Sequence, residues 1–567
     1  QANTANSTAA AGDAATTAQT EAAQSNTDNG DLTVVKILGR NYTYTGANGK
    51  TVTLKDWSTE GKSKRWDKLS ENLAAKGVKL ELDLIEPDQF DTTIQTMAAS
   101  GELFNYDMIN ITPLDDKTKL NLVKQGQLQS ISDIWETYSD GTYTDFINSD
   151  AGQFYFKHVA LEDGKCYWLT DYETSSYEGN PTNSILAFQI RQDWLDALGL
   201  DVPRTWDELA EVAKAFVTRD PDGNGENDTI GILGPGNSDH MNAVGGNQFG
   251  LDPLFSCFQS YPQYWLKSED GSVEYGSIQP ETKTALENIS KLYADGVIDP
   301  ETLVRSDSKE PLLAGKVGIF FGPWWCAYTF ADTTLSGSAD WRAYFTPLSE
   351  DGKYYTHMAE PTTQYVVASK DCKNPEAAFK IINYLVANEQ KWVEEGVTST
   401  EMGTGDFYPL YNTYDNADEI EKSYEALTKY LAGDISMDDV DFSTHKLLKN
   451  DMEAVTKLKK KPYDDFSLKY WNLDSDLAKG NLPRLVAIMV GDAPLVNEEY
   501  VPVYNAYNGQ TETMEAKWAN LKKMEEETFA KIIMGKADIS EFDTFVKNWK
   551  NQGGDQILKE INDELSK

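Results

Sequence analysis

Residues 218–231 read TRDPDGNGENDTIG and crowd Asp220, Asp222, Asn224 and Asp228 around Gly225. Like charges repel, so either water solvates an acidic turn or a cation sits inside it. Calcium takes 6–8 oxygen ligands, and calcium loops supply them at positions 1, 3, 5, 7 and 9, with glycine at 6. Counted from Asp220, those positions are Asp222, Asn224, Gly225, the backbone carbonyl of Glu226, and Asp228. Position 12, which carries a bidentate Glu in an EF-hand, is Gly231, so no EF-hand helix pair is expected. Asp, Asn and Gly are also the ordinary residues of a solvated turn, and that alternative stays open. The loop holds no Cys or His, which disfavours zinc.

Catalytic patterns are sparse. There is no G-x-S-x-G elbow, no H-E-x-x-H and no Walker A loop. The four histidines, His158, His240, His357 and His445, are far apart in sequence. A glycosidase needs only two carboxylates flanking the scissile bond. With 91 acidic residues the sequence leaves that reading standing, without a local motif for it. Cys166, Cys257, Cys326 and Cys372 form no C-x-x-C pair, and buried free thiols are expected.

The elements that must position such groups begin after residue 31. Residues 1–31 lack Lys, Arg, aromatics, Leu, Ile and Val, and read as a disordered tether of an exported, surface-hung protein. LTVVKILG (32–39), VKLELDLIE (78–86) and YDMINI (106–111) read as strands, with helices over 63–76 and 90–102 between them. That alternation predicts a parallel α/β sheet whose ligands bind at the carboxyl ends of the strands. Arg40, Asn41 and Asp115 stand at those ends. NSILAFQI (183–190) and KVGIFFG (316–322) open and continue a second series. TWDELAEVAKAFV (205–217) is a helix capped by Thr205 with Glu208 three residues on. A chain of 567 residues should hold at least two domains. Lys plus Arg is 51 against 91 Asp plus Glu, a net charge of −40, which argues against nucleic acid and anionic membrane as partners. No run of eighteen apolar residues occurs.

Several stretches carry a resemblance. RQDWLDALGLDVPRTWDELAEVAKAF (191–216), WLKSEDGSVEYGSIQPETKTALENISKLYADGVIDPE (265–301), GKVGIFFGPWW (315–325), NPEAAFKIINYL (374–385) and the tail 527–562 resemble, in order, the extracellular solute-binding lipoproteins of bacterial ABC importers. The carbohydrate-binding branch, including alginate-binding proteins, is the nearest in pattern, and it carries a calcium loop of the D-P-x-G-N-G type. Thr229 departs from the Glu usual there.

The resemblance implies an α/β, two-lobed clamp of the periplasmic-binding-protein kind, with hinge crossings and a helical C-terminus. Its lobes would be 32–180 with 363–505, and 181–362 with 506–567. It implies a monomer on the outer face of the cytoplasmic membrane, touching lipid only through an N-terminal anchor. It would pass an oligosaccharide to permease subunits and carry structural Ca2+. Maltodextrin-binding proteins resemble the chain at GPWW (322–325), which makes Trp324 the sugar-stacking residue and Trp325 its neighbour. An indole covers the apolar C–H face of a pyranose, while the hydroxyls need polar partners. Tyr172, Tyr177, Asn247, Gln248, Tyr408 and Tyr411 are further candidates for contact with the ligand. A surface glycoside hydrolase and a glycan adhesin are the competing readings.

Overall fold

In TVVKILGR the side chains of Val35, Ile37 and Leu38 turn away from water, and VKLELDLI runs parallel beside them from Val78 opposite Thr33 to Ile85 opposite Arg40. The computed structural model describes residues 32–45, 51–138, 160–161, 163–169, 185–236, 248–305, 307–358, 365–381, 419–442, 448–458, 471–473, 475–507 and 509–566. Its two larger sheets use strands β1 Thr33–Arg40, β2 Val78–Ile85, β3 Met108–Asn110, β4 Ala187–Arg191, β5 Ile230–Ile232, β6 Val317–Gly322, β7 Trp341–Tyr344 and β8 Val366–Ala368. The first sheet has the order β8-β3-β1-β2 and the second β7-β4-β6-β5. β1 is parallel to β2 and β3, whereas β8 returns antiparallel to β3. In the second sheet β6 is parallel to β5 and antiparallel to β4.

Each sheet has its own core. Helices Lys64–Ala75 and Phe90–Ser100 bury Leu69, Leu73 and Ile94 against the first sheet. On one face of the second sheet, Phe188, Ile190, Ile319 and Phe321 meet Leu209, Val212 and Phe216 of the capped helix Trp206–Thr218. The same core takes in Phe529, Trp549 and Ile557 of the C-terminal helices. Near-continuous burial along β4 and β6 is what a sheet covered on both faces requires.

The other face is covered by helices of residues 419–497. Leu427, Leu482, Leu485 and Ile488 share a core with Phe320, Phe330 and Trp341. The sequence reading grouped 363–505 with the first lobe; the described residues 419–497 pack on the second sheet instead. An amphipathic helix shows which of its faces is apolar and not which sheet that face will cover.

Candidate functional site

Strand registers place the edges at which the two sheets meet the connecting chain. β4 begins at Ala187, opposite Gly322 at the end of β6. β8 begins at Val366, opposite Asn110 at the end of β3. The GPWW turn therefore follows the carboxyl end of β6 beside the start of β4, and the carboxyl end of β3 stands beside the start of β8; ligands of open α/β sheets bind outside such carboxyl ends.

Pro323 is extended, and Trp324–Cys326 closes at once into a 3₁₀ turn that runs into helix Ala327–Leu335. The turn rests on a π-helical segment, Ala487–Gly491, and a Cβ at Gly491 would stand 2.2 Å from the Trp324 carbonyl oxygen. Only glycine permits that approach, and π-turns recur at functional sites. Trp324 is 8 % exposed, within the core of Phe320, Phe330 and Trp341, whereas Trp325 is half-buried. The sequence reading put the stacking face on Trp324; here the more open ring belongs to Trp325. Gln248 joins the turn: its Nε2 donates to Thr329 Oγ1 at 2.8 Å. Its Oε1 is buried without a hydrogen-bond partner, a fixed acceptor.

The candidates on the first sheet are already engaged. Asn41 is buried; its Nδ2 donates to Glu86 Oε1 at 3.0 Å and its Oδ1 accepts from the Lys55 amide. The Asp115 carboxylate caps helix Asp116–Lys124 by accepting from the Thr118 amide at 2.8 Å. Arg40 lies over the Tyr42 ring at 5.4 Å. Tyr172, Tyr177, Asn247, Tyr408 and Tyr411 lie outside the described residues.

The acidic loop hangs between helix Trp206–Thr218 and β5. Asp220 adopts φ 45°, and Gly223 and Gly225 are also left-handed. Asp220 accepts from the amides of Asn224 and Gly225, each at 3.1 Å. Burial, then a hydrogen bond with Asp220 and the charges of Asp228 and Asp220, push the Asp222 carboxyl up, against the Asn224 amide that lowers it. The Asn224 amide donates to Asp222 at 2.9 Å and to Asp228 at 3.3 Å. Lys316 pairs with Asp228 at 2.8 Å and holds its carboxyl below the usual range. These donors sit where a cation would, and among the described residues no group of three or more His, Cys, Asp or Glu is placed to hold a metal. The donor set is right for a hard cation, but it is not arranged as a preformed cage. Thr229 is buried and donates to the Phe216 carbonyl, so it faces the helix and not the loop. A Cβ at Gly231 would meet two carbonyl oxygens at 2.6 and 2.7 Å, which excludes a twelfth-position Glu.

All four cysteines are buried, and none is in a disulfide. Among the described residues, no helix is long and apolar enough to cross a membrane.

Comparison with known proteins supplies the class. The Bacillus subtilis (strain 168) polygalacturonan/rhamnogalacturonan-binding protein YtcQ is 24 % identical over 486 residues, 84 % of this chain and 83 % of YtcQ. The Streptococcus pneumoniae ABC-transporter substrate-binding protein FusA in complex with kestose superposes with a TM-score of 0.58 at 17 % identity, covering 94 % of this chain and 99 % of FusA. The alginate-binding protein AlgQ2, solved without calcium ion, gives a TM-score of 0.55 at 15 % identity over 94 % and 98 % of the two chains. These likenesses establish the two-lobed fold. Residues 57–392 match the model of bacterial extracellular solute-binding proteins, and with that match spanning most of both sheets the chain belongs to this family.

Proposed function

We propose that the protein is the substrate-capturing component of an ABC importer, closing its two lobes on an oligosaccharide and handing it to the permease. The observation that carries this reading is the tryptophan turn after the carboxyl end of β6, with the Gln248 acceptor fixed beside it. An aromatic face next to an oriented, unpartnered amide oxygen suits a ring with one apolar face and hydroxyls at its rim. The relatives named for polygalacturonan, kestose and alginate support a glycan ligand. On this reading the protein is a monomer held at the outer face of the membrane by a lipid anchor, and it catalyses no reaction. Tyr172, Tyr177, Asn247 and Tyr408, which lie outside the described residues, line the rest of the proposed cleft.

The test is calorimetry with glycan ladders on the parent, Trp324→Ala and Trp325→Ala. Trp325→Ala should lose about thirtyfold in affinity, as for a truncated aromatic anchor of about 2 kcal/mol, and keep its melting temperature. Trp324→Ala should lose affinity and also stability, because a core tryptophan truncated to alanine costs about 3–5 kcal/mol. Unchanged affinity in both variants sinks the site. Released product in place of a stable complex would make the protein a hydrolase.

The acidic loop supports a structural Ca2+ held by Asp220, Asp222, Asn224, the Glu226 carbonyl and Asp228. The AlgQ2 structure is described as being without calcium ion, which supports a calcium site in this fold. The ion would neutralise carboxylates that now disfavour one another's charge, and Lys316 would have to release Asp228.

A further inference from the structure

Beyond the tryptophan turn, the helix that follows it presents one open face. Trp325 is half-buried, Tyr328 is 49 % exposed, Thr329 is half-buried and Asp332 is exposed, while Ala327, Phe330, Thr333 and Thr334 are buried. The open positions are i, i+3, i+4 and i+7 from Trp325, so they form a single stripe. On a helix such neighbours lie about 5–6 Å apart at Cβ, on the scale of one sugar ring. From residue 325 to 332 the stripe advances about 10 Å. Thr329 is also the residue that anchors Gln248, so the stripe is continuous with the site described above. Among the described residues, Tyr328 is one of six large apolar side chains that are exposed.

We propose that this stripe is a second sugar subsite: Tyr328 stacks on the hexose next to the one at the tryptophan turn, and the Asp332 carboxylate accepts from its hydroxyls. This rests on the oligosaccharide reading and adds a chain-length preference and a charge preference. A carboxylate at the end of the path repels uronates, so the second sugar is neutral. Truncating Tyr328 leaves the core intact, because the ring is half exposed.

The experiment measures calorimetric affinity for three ladders, each from disaccharide to hexasaccharide: maltodextrins, fructo-oligosaccharides and galacturonan oligomers. With Tyr328→Ala, members of three or more residues of the best neutral ladder should bind about five- to tenfold more weakly, and the disaccharide should bind as before. Tyr328→Phe should restore the longer members, because stacking needs the ring and not the hydroxyl. Asp332→Asn should narrow the gap between neutral and galacturonan ladders. Equal loss at every length, no loss at any length, failure of Tyr328→Phe to restore binding, or tightest parent binding to galacturonan overturns the subsite. If Trp325→Ala abolishes binding while Tyr328→Ala changes nothing, the subsite fails and the oligosaccharide reading survives. If no ladder binds the parent, both fall.

Discussion

Glu525 sits 1 % exposed between Tyr275 and Ser277, whose hydroxyls donate to its two oxygens at 2.8 and 2.7 Å. Desolvation outweighs these bonds and pushes its pKa up to about 7. A carboxyl whose folded pKa is raised binds its proton more tightly in the native state. Its contribution is complete below the unfolded value, near 4.3, and is lost as pH rises to about 7. Glu525→Gln removes this titration at the cost of a constant offset. The parent should therefore lose stability relative to the variant between about pH 4.5 and 7, by roughly 3 kcal/mol. Denaturant melts of both proteins at pH 4.5, 6 and 8 check it, and parallel curves would show that Glu525 does not titrate in that range. His357 is the opposite case: burial lowers its folded pKa to about 3, so below its unfolded value near 6.5 it opposes the Glu525 trend, and because parent and variant both carry it the difference between them still reads Glu525.

At the scale of elements, the acidic loop is two left-handed glycines and a left-handed aspartate strung between a capped helix and a short buried strand. Ca2+ titration should release heat, and a chelator should lower the melting temperature of the Ca2+-loaded protein. Lys316→Met should strengthen Ca2+ binding by removing the ammonium that now holds Asp228. A silent titration and a melting curve indifferent to chelator would leave the solvated turn. The donor spacing of this loop can be read from sequence because it is local: every donor lies within nine residues of Asp220. The same holds for Thr205 and Glu208, whose capping box forms as the spacing predicts. Strands expected at 32–39, 78–86 and 316–322 form within a residue or so of those bounds, because each is long enough to show its apolar pattern. β5, β7 and β8 have three or four residues, too few for periodicity to register. Asp115 and Asn41 were rightly placed near strand ends, but a capping bond and a bond to Glu86 engage them, and neither pairing shows in composition. Tyr328 and Asp332 were missed, although their spacing from Trp325 was there to be read. The helices of 419–497 were misplaced because an apolar stripe carries no address.

At the scale of the whole molecule, an electrostatic contact joins the group built on the first sheet to the group built on the second. Helix Asp116–Lys124 follows the carboxyl end of β3, while helix Glu512–Ile533 packs in the core of the second sheet. Lys124 Nζ meets Glu515 Oε1 at 2.7 Å, and Lys117 Nζ donates to the Glu515 carbonyl at 3.1 Å. The two lysines are seven residues apart, two turns along one face, and they converge on the first turn of the partner helix. In a protein of net charge −40, a lysine pair set against a glutamate across the two lobes opposes the general repulsion between them. Hinge closure moves rigid lobes, so a contact that spans them biases the open–closed equilibrium without touching the ligand. An exposed pair is worth up to about 1 kcal/mol, or about fivefold in affinity. Lys124→Glu places like charges together and should weaken ligand binding by about three- to tenfold. It should also leave the ligand-saturated protein with a larger radius of gyration in solution scattering. The exchange Lys124→Glu with Glu515→Lys should restore both. In 1 M salt, where the screening length is about 3 Å, parent and single variant should converge. A single variant with parental affinity and radius would mean that the pair does not report closure. A loss that the exchange cannot repair would assign the effect to damage in the helix and not to the bridge.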